Sequence, residues 1–231
     1  MDSGTIAIAR QVAMELCEIQ PEPNPPKDVG STTLVFPSYR PGTLNGPERA
    51  RVSEAEARVV YCMALANRRL PFGVEVPTTQ QYAFSGTTKM SARTDLVVYA
   101  SRRDPQPRLV RDLAIEFKAH NPRAESIRKD LEKLLREQCD GLWFHVLKNV
   151  HSRTIPVLMG KFTQAIEDLR LPWQECMHTL NVCVVVLEKK FWLYRTLAPS
   201  HGSVPDLSFD YEVRGEKVVV RDAKAWNFEA F

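Results

Sequence analysis

The chain has 231 residues, 44% hydrophobic and 26% charged, enough to bury one large core or two small ones without disulfides or a structural metal. With 31 basic and 28 acidic residues the net charge is only +3, which excludes nucleic-acid binding by bulk electrostatics but leaves room for a local basic groove. The cysteines and histidines are scattered, with no C-x-x-C, H-x-x-H or H-E-x-x-H spacing, which argues against structural zinc, a histidine-rich metal site or a secreted disulfide scaffold. No long apolar run and no leader pattern is present, so the expectation is a cytoplasmic protein without a membrane partner.

Residues Thr5 to Ile19 carry Ile8, Val12, Leu16 and Ile19 at helical spacing, predicting an amphipathic helix that docks its apolar face. The run Pro21 to Gly30 forbids helix and predicts an extended connector. Beyond it only Leu34 to Phe36 reads as a short strand, so residues 1–46 form a helix and a Pro-rich arm, and 47–231 the main domain. Ser53 and Glu56 have capping-box spacing before a helix Glu54 to Arg68, with Val59, Met63 and Ala66, and Val60 and Ala64 beside them, as its expected buried stripe.

Three β-segments follow, Val74 to Phe84, Arg93 to Ala100 and Leu109 to His120, rich in β-branched and aromatic residues and predicted to form an antiparallel meander. Asn121-Pro122 reads as the start of a helix reaching Gln138, with Ile127, Leu131, Leu134 and Leu135 on one face. A strand Gly141 to Val150, a helix from about Val157 to Leu169, an apolar strand Asn181 to Leu197 and a terminal hairpin turning at Arg214-Gly215 complete the chain. The fold class is α/β, with a mixed central sheet flanked by helices.

Two charged intrusions stand out. Asp95 is the single carboxylate within the hydrophobic strand RTDLVVYA, and Glu116, Lys118 and His120 share one face of AIEFKAH, because side chains alternate along a strand. The order helix, three strands, helix, strand, with Thr94-Asp95 in the second strand and Glu116-Phe117-Lys118 in the third, resembles the PD-(D/E)XK nuclease superfamily. Threonine replaces the usual proline at position 94, and the likeness covers residues 53–150, with 151–231 as an extension. It implies a restriction-endonuclease-like core and a Mg2+ site, with Mn2+ able to substitute.

In that likeness the metal ligands are Asp95, Glu116, the Phe117 carbonyl and a glutamate of the first helix. Glu56 is the choice for this glutamate and Glu54 its rival. Two neighbouring carboxylates repel unless a cation lies between them, and magnesium takes hard oxygen ligands of this kind. Lys118 would offset charge on a phosphorane-like transition state and position or deprotonate water. Lys89 and Arg93 in the loop before Asp95, and Lys129 or Lys133 on the following helix, are the candidate phosphate contacts.

The helix charges also fit ordinary i,i+4 pairing on a solvated face. The expected activity is hydrolysis of nucleic-acid phosphodiesters, by a DNA endonuclease of a restriction, defence, repair or mobile-element system. DNA is favoured over RNA, and self-association or a partner subunit is left open by the apolar N-terminal helix. The alternative is an inactive nuclease-like domain that binds nucleic acid or a partner protein.

Overall fold

Periodicity dictates the first element. In α1 (Ser3–Glu18) the residues Ile8, Val12 and Leu16 are buried with Ala9 and Ala13 between them, because steps of three and four bring them to one face. The computed structural model describes residues 3–19, 34, 36–39, 49–50, 52–83, 90–101, 109–199 and 204–231. The connector from Pro21 to Gly30 therefore lies outside the described residues. Of the short strand expected at Leu34 to Phe36, Val35 lies outside the described residues and Phe36 forms a single bridge; next to it β1 (Ser38–Tyr39) and β2 (Arg49–Ala50) pair antiparallel.

Helix α2 (Glu54–Asn67) begins where expected: Ser53 has extended backbone and its hydroxyl oxygen accepts the Ala55 N–H at 3.3 Å. Its buried face is the expected one only in part, taking in Val60 and Ala64 but leaving out Val59, Met63 and Ala66. Ala57, Val60, Tyr61, Ala64 and Leu65 are buried, whereas Val59 and Met63 are 43% and 41% exposed. Both stripes have helical period. The Tyr61 ring decides between them by lying edge-on to Phe117 and Phe144, at centroid distances of 5.8 and 6.0 Å.

Strands β3 (Phe72–Tyr82), β4 (Met90–Ser101) and β5 (Leu109–Ala119) form the antiparallel meander. Helix α3 (Ala124–Arg136) leads to β6 (Asp140–Leu147), parallel to β5. Helices α4 (Thr154–Asp168) and α5 (Arg170–Glu175) lead to β7 (Leu180–Val186), parallel to β6. The single apolar strand expected at 181–197 is two: a turn at 187–190 separates β7 from the antiparallel β8 (Phe191–Leu197). Leu187 and the aliphatic stems of Lys189 and Lys190 had masked that break.

The terminal hairpin β9 (Asp210–Arg214) and β10 (Lys217–Asp222) turns at Gly215-Glu216, one residue later than expected, with Gly215 at φ 59°, as glycine first in a two-residue turn allows. A further strand, β11 (Asn227–Ala230), joins β8.

The seven-stranded sheet has the order β11-β8-β7-β6-β5-β4-β3. Helices α1 and α2 cover one face, sharing a core with Leu96, Ile115, Phe117, Phe144 and Val185. Helices α3, α4 and α5 cover the other, against Ala114, Trp143, Val182 and Val184. The central strands are apolar on both sides, as strands buried on both faces must be.

Helix α3 starts later than expected, at Ala124, because Asn121 is used elsewhere: its side-chain oxygen accepts Lys161 Nζ at 2.6 Å. At the far end of α3, Glu137 has a fully buried carboxylate that accepts Thr79 N–H at 2.8 Å and pairs with Arg111 at 2.5 Å. It ties α3 to β3 and β5. Glu137→Ala should destabilise the protein by about 3 kcal/mol, since it strands the Arg111 charge, and a urea melt against Glu137→Gln checks this.

Candidate active site

The site sits where β4 leaves β5. The last paired residues there are Leu96 and Ile115, while the parallel β5–β6 ladder continues to Ala119 and Val146. Past that point the Phe117 N–H donates to Asp95 Oδ2 at 2.8 Å. A carboxylate thus replaces the backbone acceptor that a continuing ladder would supply, which accounts for an aspartate in a strand otherwise hostile to it.

Alternation on β5 does the rest. Phe117 enters the core under α2, so Glu116 and Lys118 face α3. There Lys133 Nζ lies 2.6 Å from Glu116 Oε1 and 3.1 Å from Asp130 Oδ1, and donates to the Arg93 carbonyl at 3.0 Å. Lys118 Nζ lies 2.9 Å from Asp130 Oδ2 and 3.7 Å from Glu54 Oε2, and donates to the Phe117 carbonyl at 3.1 Å. Asp130 therefore bridges both ammonium groups. From α2, Arg58 reaches Glu75 at 2.5 Å and stands 4.0 Å from Asp95 Oδ1.

The electrostatics follow from burial and crowding. Glu116 is only 1% exposed, and burial, then the Asp130 and Asp95 charges, push its carboxyl well above the usual range against the pull of Lys133. Burial acts to lower the Lys118 ammonium, but Asp130, with Glu54 and Asp95 adding, outweighs it, and the net shift is upward. Lys133 is raised likewise, with Glu116 and Asp130 overcoming burial. Burial also raises Glu54, with Lys118 opposing. Both lysines are fixed cations.

Because Glu116 is raised in the folded state, its contribution to stability is present below the ordinary value of 4.5 and is lost as pH climbs through its folded value. Thermal melts between pH 4 and 8 should show Glu116→Gln losing less stability with rising pH than wild type does. Parallel profiles would contradict this.

Comparison with known proteins finds no matching family model, curated protein or solved structure.

Among the described residues no three His, Cys, Asp or Glu side chains form a ready metal-binding group. Asp95 accepts the Phe117 N–H and stands near enough to Glu116 for its charge to raise that carboxyl, and the Phe117 carbonyl keeps a lone pair beyond the one engaged by Lys118. One or two carboxylates with a carbonyl suit magnesium, which retains waters of its own. The carboxylates of Glu54, Asp95, Glu116 and Asp130 outnumber the ammonium groups of Lys118 and Lys133, so a divalent charge is accommodated. In charge and chemistry the donor set fits a hard cation.

The first-helix carboxylate is where sequence reasoning chose differently. Glu56 is buried and accepts the Ser53 hydroxyl, a side-chain bond in place of the backbone bond of a capping box, while Glu54, two residues earlier and about 200° round the helix, faces Lys118. Lys133, expected on a solvated face or at a phosphate, is buried under Glu116. Lys129 remains at the surface and pairs with Glu125 at 2.8 Å. Arg93 is exposed, and Lys89 lies outside the described residues.

Asp130 and Arg58 were missed. Asp130 is about 60° from Ile127 around the helix, on the flank of the apolar stripe, and that position was the available signal. His145 is fully buried and held neutral, burial lowering it to about 3. Its Nε2 faces the His120 carbonyl at 2.7 Å, so that nitrogen carries the proton and fixes His120, at φ 59°, just past Lys118.

Proposed function

We propose that the protein hydrolyses phosphodiester bonds in nucleic acid with a divalent metal, as a DNA endonuclease of a restriction, defence, repair or mobile-element system built on a restriction-endonuclease-like core. The observation that carries this reading is the splayed β4–β5 junction. There Asp95 is anchored on the Phe117 N–H beside Glu116, with Lys118 on the same strand. A neutral asparagine oxygen would accept that N–H equally well; what the carboxylate adds is a negative charge beside Glu116.

Asp95, Glu116 and the Phe117 carbonyl would hold Mg2+, or Mn2+ in its place. When bound, such an ion polarises the phosphate and lowers the pKa of a coordinated water. Lys118 contributes a fixed positive charge where the pentacoordinate phosphate accumulates negative charge. Its raised ammonium makes it an electrostatic group, not a proton acceptor. Asp130 orients both lysines, and Glu54 is the helix carboxylate of the set. Arg93 and Lys129, at the surface, serve the DNA backbone.

One observation favours a second reading. Both ammonium groups are already engaged by carboxylates, as in a nuclease-like domain that has lost catalysis and only binds nucleic acid or a partner. Titrating Mg2+ and Mn2+ into the full chain with DNA and with RNA separates the two. Metal-dependent cutting of DNA supports the enzyme, whereas binding without cutting at any metal concentration supports the second reading.

A further inference from the structure

Beyond the ends of β5 and β6 lies a surface cavity of about 490 Å³, the size of a small-ligand site. Its apolar floor is made by Leu147, Val157 and Leu158, and its rim by Lys148, His151 and Arg153. Among the described residues no carboxylate lines it. Two cavities of similar size elsewhere differ on this point, one being lined by Glu167, Asp206 and Asp210 and the other by Glu137 and Glu175. Glu188, outside the lining, accepts Asn149 Nδ2 at 2.5 Å and pairs with Lys148 at 3.7 Å, so it offsets part of the Lys148 charge and leaves Arg153 as the principal cation of the rim.

The anion affinity of this cavity resides in side chains. The first backbone donors of α4 are already spent, Thr154 N–H on the His151 carbonyl at 2.9 Å and Ile155 N–H on the Tyr211 hydroxyl at 3.4 Å, and Pro156 has none. Apolar floor and cationic rim together describe a ligand that is flat and apolar on one part and anionic on another. A nucleotide is such a ligand: its base covers the aliphatic floor and its phosphate meets the rim.

His120 joins this wall to the catalytic strand. It lines the cavity and stands two residues beyond Lys118, roughly 7 Å along the chain. We infer that the cavity takes one nucleotide of the substrate strand, the one next to the scissile phosphate, unstacked from its neighbours. The placement beside a scissile phosphate rests on the proposed nuclease function; the nucleotide chemistry of the cavity does not. Holding an unstacked nucleotide there would favour substrates in which that nucleotide is unpaired, because less stacking and pairing must be broken.

The test is calorimetric titration of a deoxyribonucleoside monophosphate, and separately of inorganic phosphate, into the full chain in EDTA. Wild type, Arg153→Glu and Val157→Trp are compared; Arg153 is exposed and Val157 is 50% exposed, and melting temperatures check that both variants fold. The expected result is mononucleotide binding that weakens about tenfold in each variant, the size of one lost charge-assisted contact, with inorganic phosphate weaker than the mononucleotide in wild type. Equal affinity for inorganic phosphate, no mononucleotide binding, or affinity unchanged in both variants would overturn the inference.

Cleavage by the same proteins keeps the two claims apart. If wild type cuts DNA and both variants cut equally well, the cavity assignment fails while the nuclease reading stands. If mononucleotide binding responds to both variants but wild type never cuts, the nuclease reading fails while the nucleotide site stands.

Discussion

Asp95→Asn is expected to lower metal-dependent DNA cleavage by about a hundredfold or more, the loss seen when one electrostatic group of a preorganised site is removed, while leaving the melting temperature close to wild type. The reasoning separates two jobs of one side chain. Asp95 accepts the Phe117 N–H where the β4–β5 ladder ends, and an asparagine oxygen can still do that. What asparagine lacks is the charge that would hold a cation with Glu116. Asp95→Ala removes both, leaving the Phe117 donor without its acceptor, and should cost about 1–3 kcal/mol of stability as well as activity. Lys118→Ala should cut the rate by a similar factor. If Asp95→Asn cleaves DNA like wild type, the carboxylate is only a ladder substitute.

Lys133→Ala should lower stability by about 3–5 kcal/mol, the range for removing one partner of a buried ion pair. For a chain of this size that corresponds to a drop in melting temperature of about 10 °C. Lys133 is the cation at 2.6 Å from Glu116, whose side chain is 1% exposed, and it also holds Asp130 and the Arg93 carbonyl. Removing it leaves two neighbouring carboxylates on the face of α3. Glu116 is already disposed to take up a proton, so the loss should be smaller at pH 5 than at pH 8. Adding Glu116→Gln should restore part of it. A melt of Lys133→Ala indistinguishable from wild type at pH 8 would show that the pair does not support the fold.

Much of the architecture was legible because strong periodic signals met clear punctuation. The β3–β4–β5 meander, α3 with its leucines and the strand β6 could be read from residue pattern and turn formers, though not the parallel pairing of β6, and so could the alternation that puts Glu116 and Lys118 on one face. Two failures have a shared cause. The stripe of α2 and the single strand at 181–197 were read from periodicity alone, and periodicity does not choose between two apolar faces or mark a turn inside an apolar run. Tertiary contacts decided both, through the Tyr61 ring and the 187–190 turn.

The site was half legible. Asp95 and Glu116-Phe117-Lys118 betrayed themselves as charge in apolar strands. Asp130 did not, and Lys133 was legible only as a phosphate contact, because a charged residue on the flank of an amphipathic helix looks the same whether it meets water or a buried carboxylate. Glu56 was chosen over Glu54 even though its capping role was visible in the sequence. The structure ties Glu56 to the Ser53 hydroxyl and turns Glu54 toward Lys118.

The central claim is that Asp95 and Glu116 share a divalent cation. The most direct measurement is Mn2+ binding to the full chain, followed by the electron paramagnetic resonance signal of the free ion, in wild type, Asp95→Asn and Glu116→Gln. The account predicts a site in wild type whose affinity falls at least about tenfold in each variant, as expected when one charged ligand is lost. Mn2+ affinity unchanged in both variants, or no binding to wild type, would contradict it.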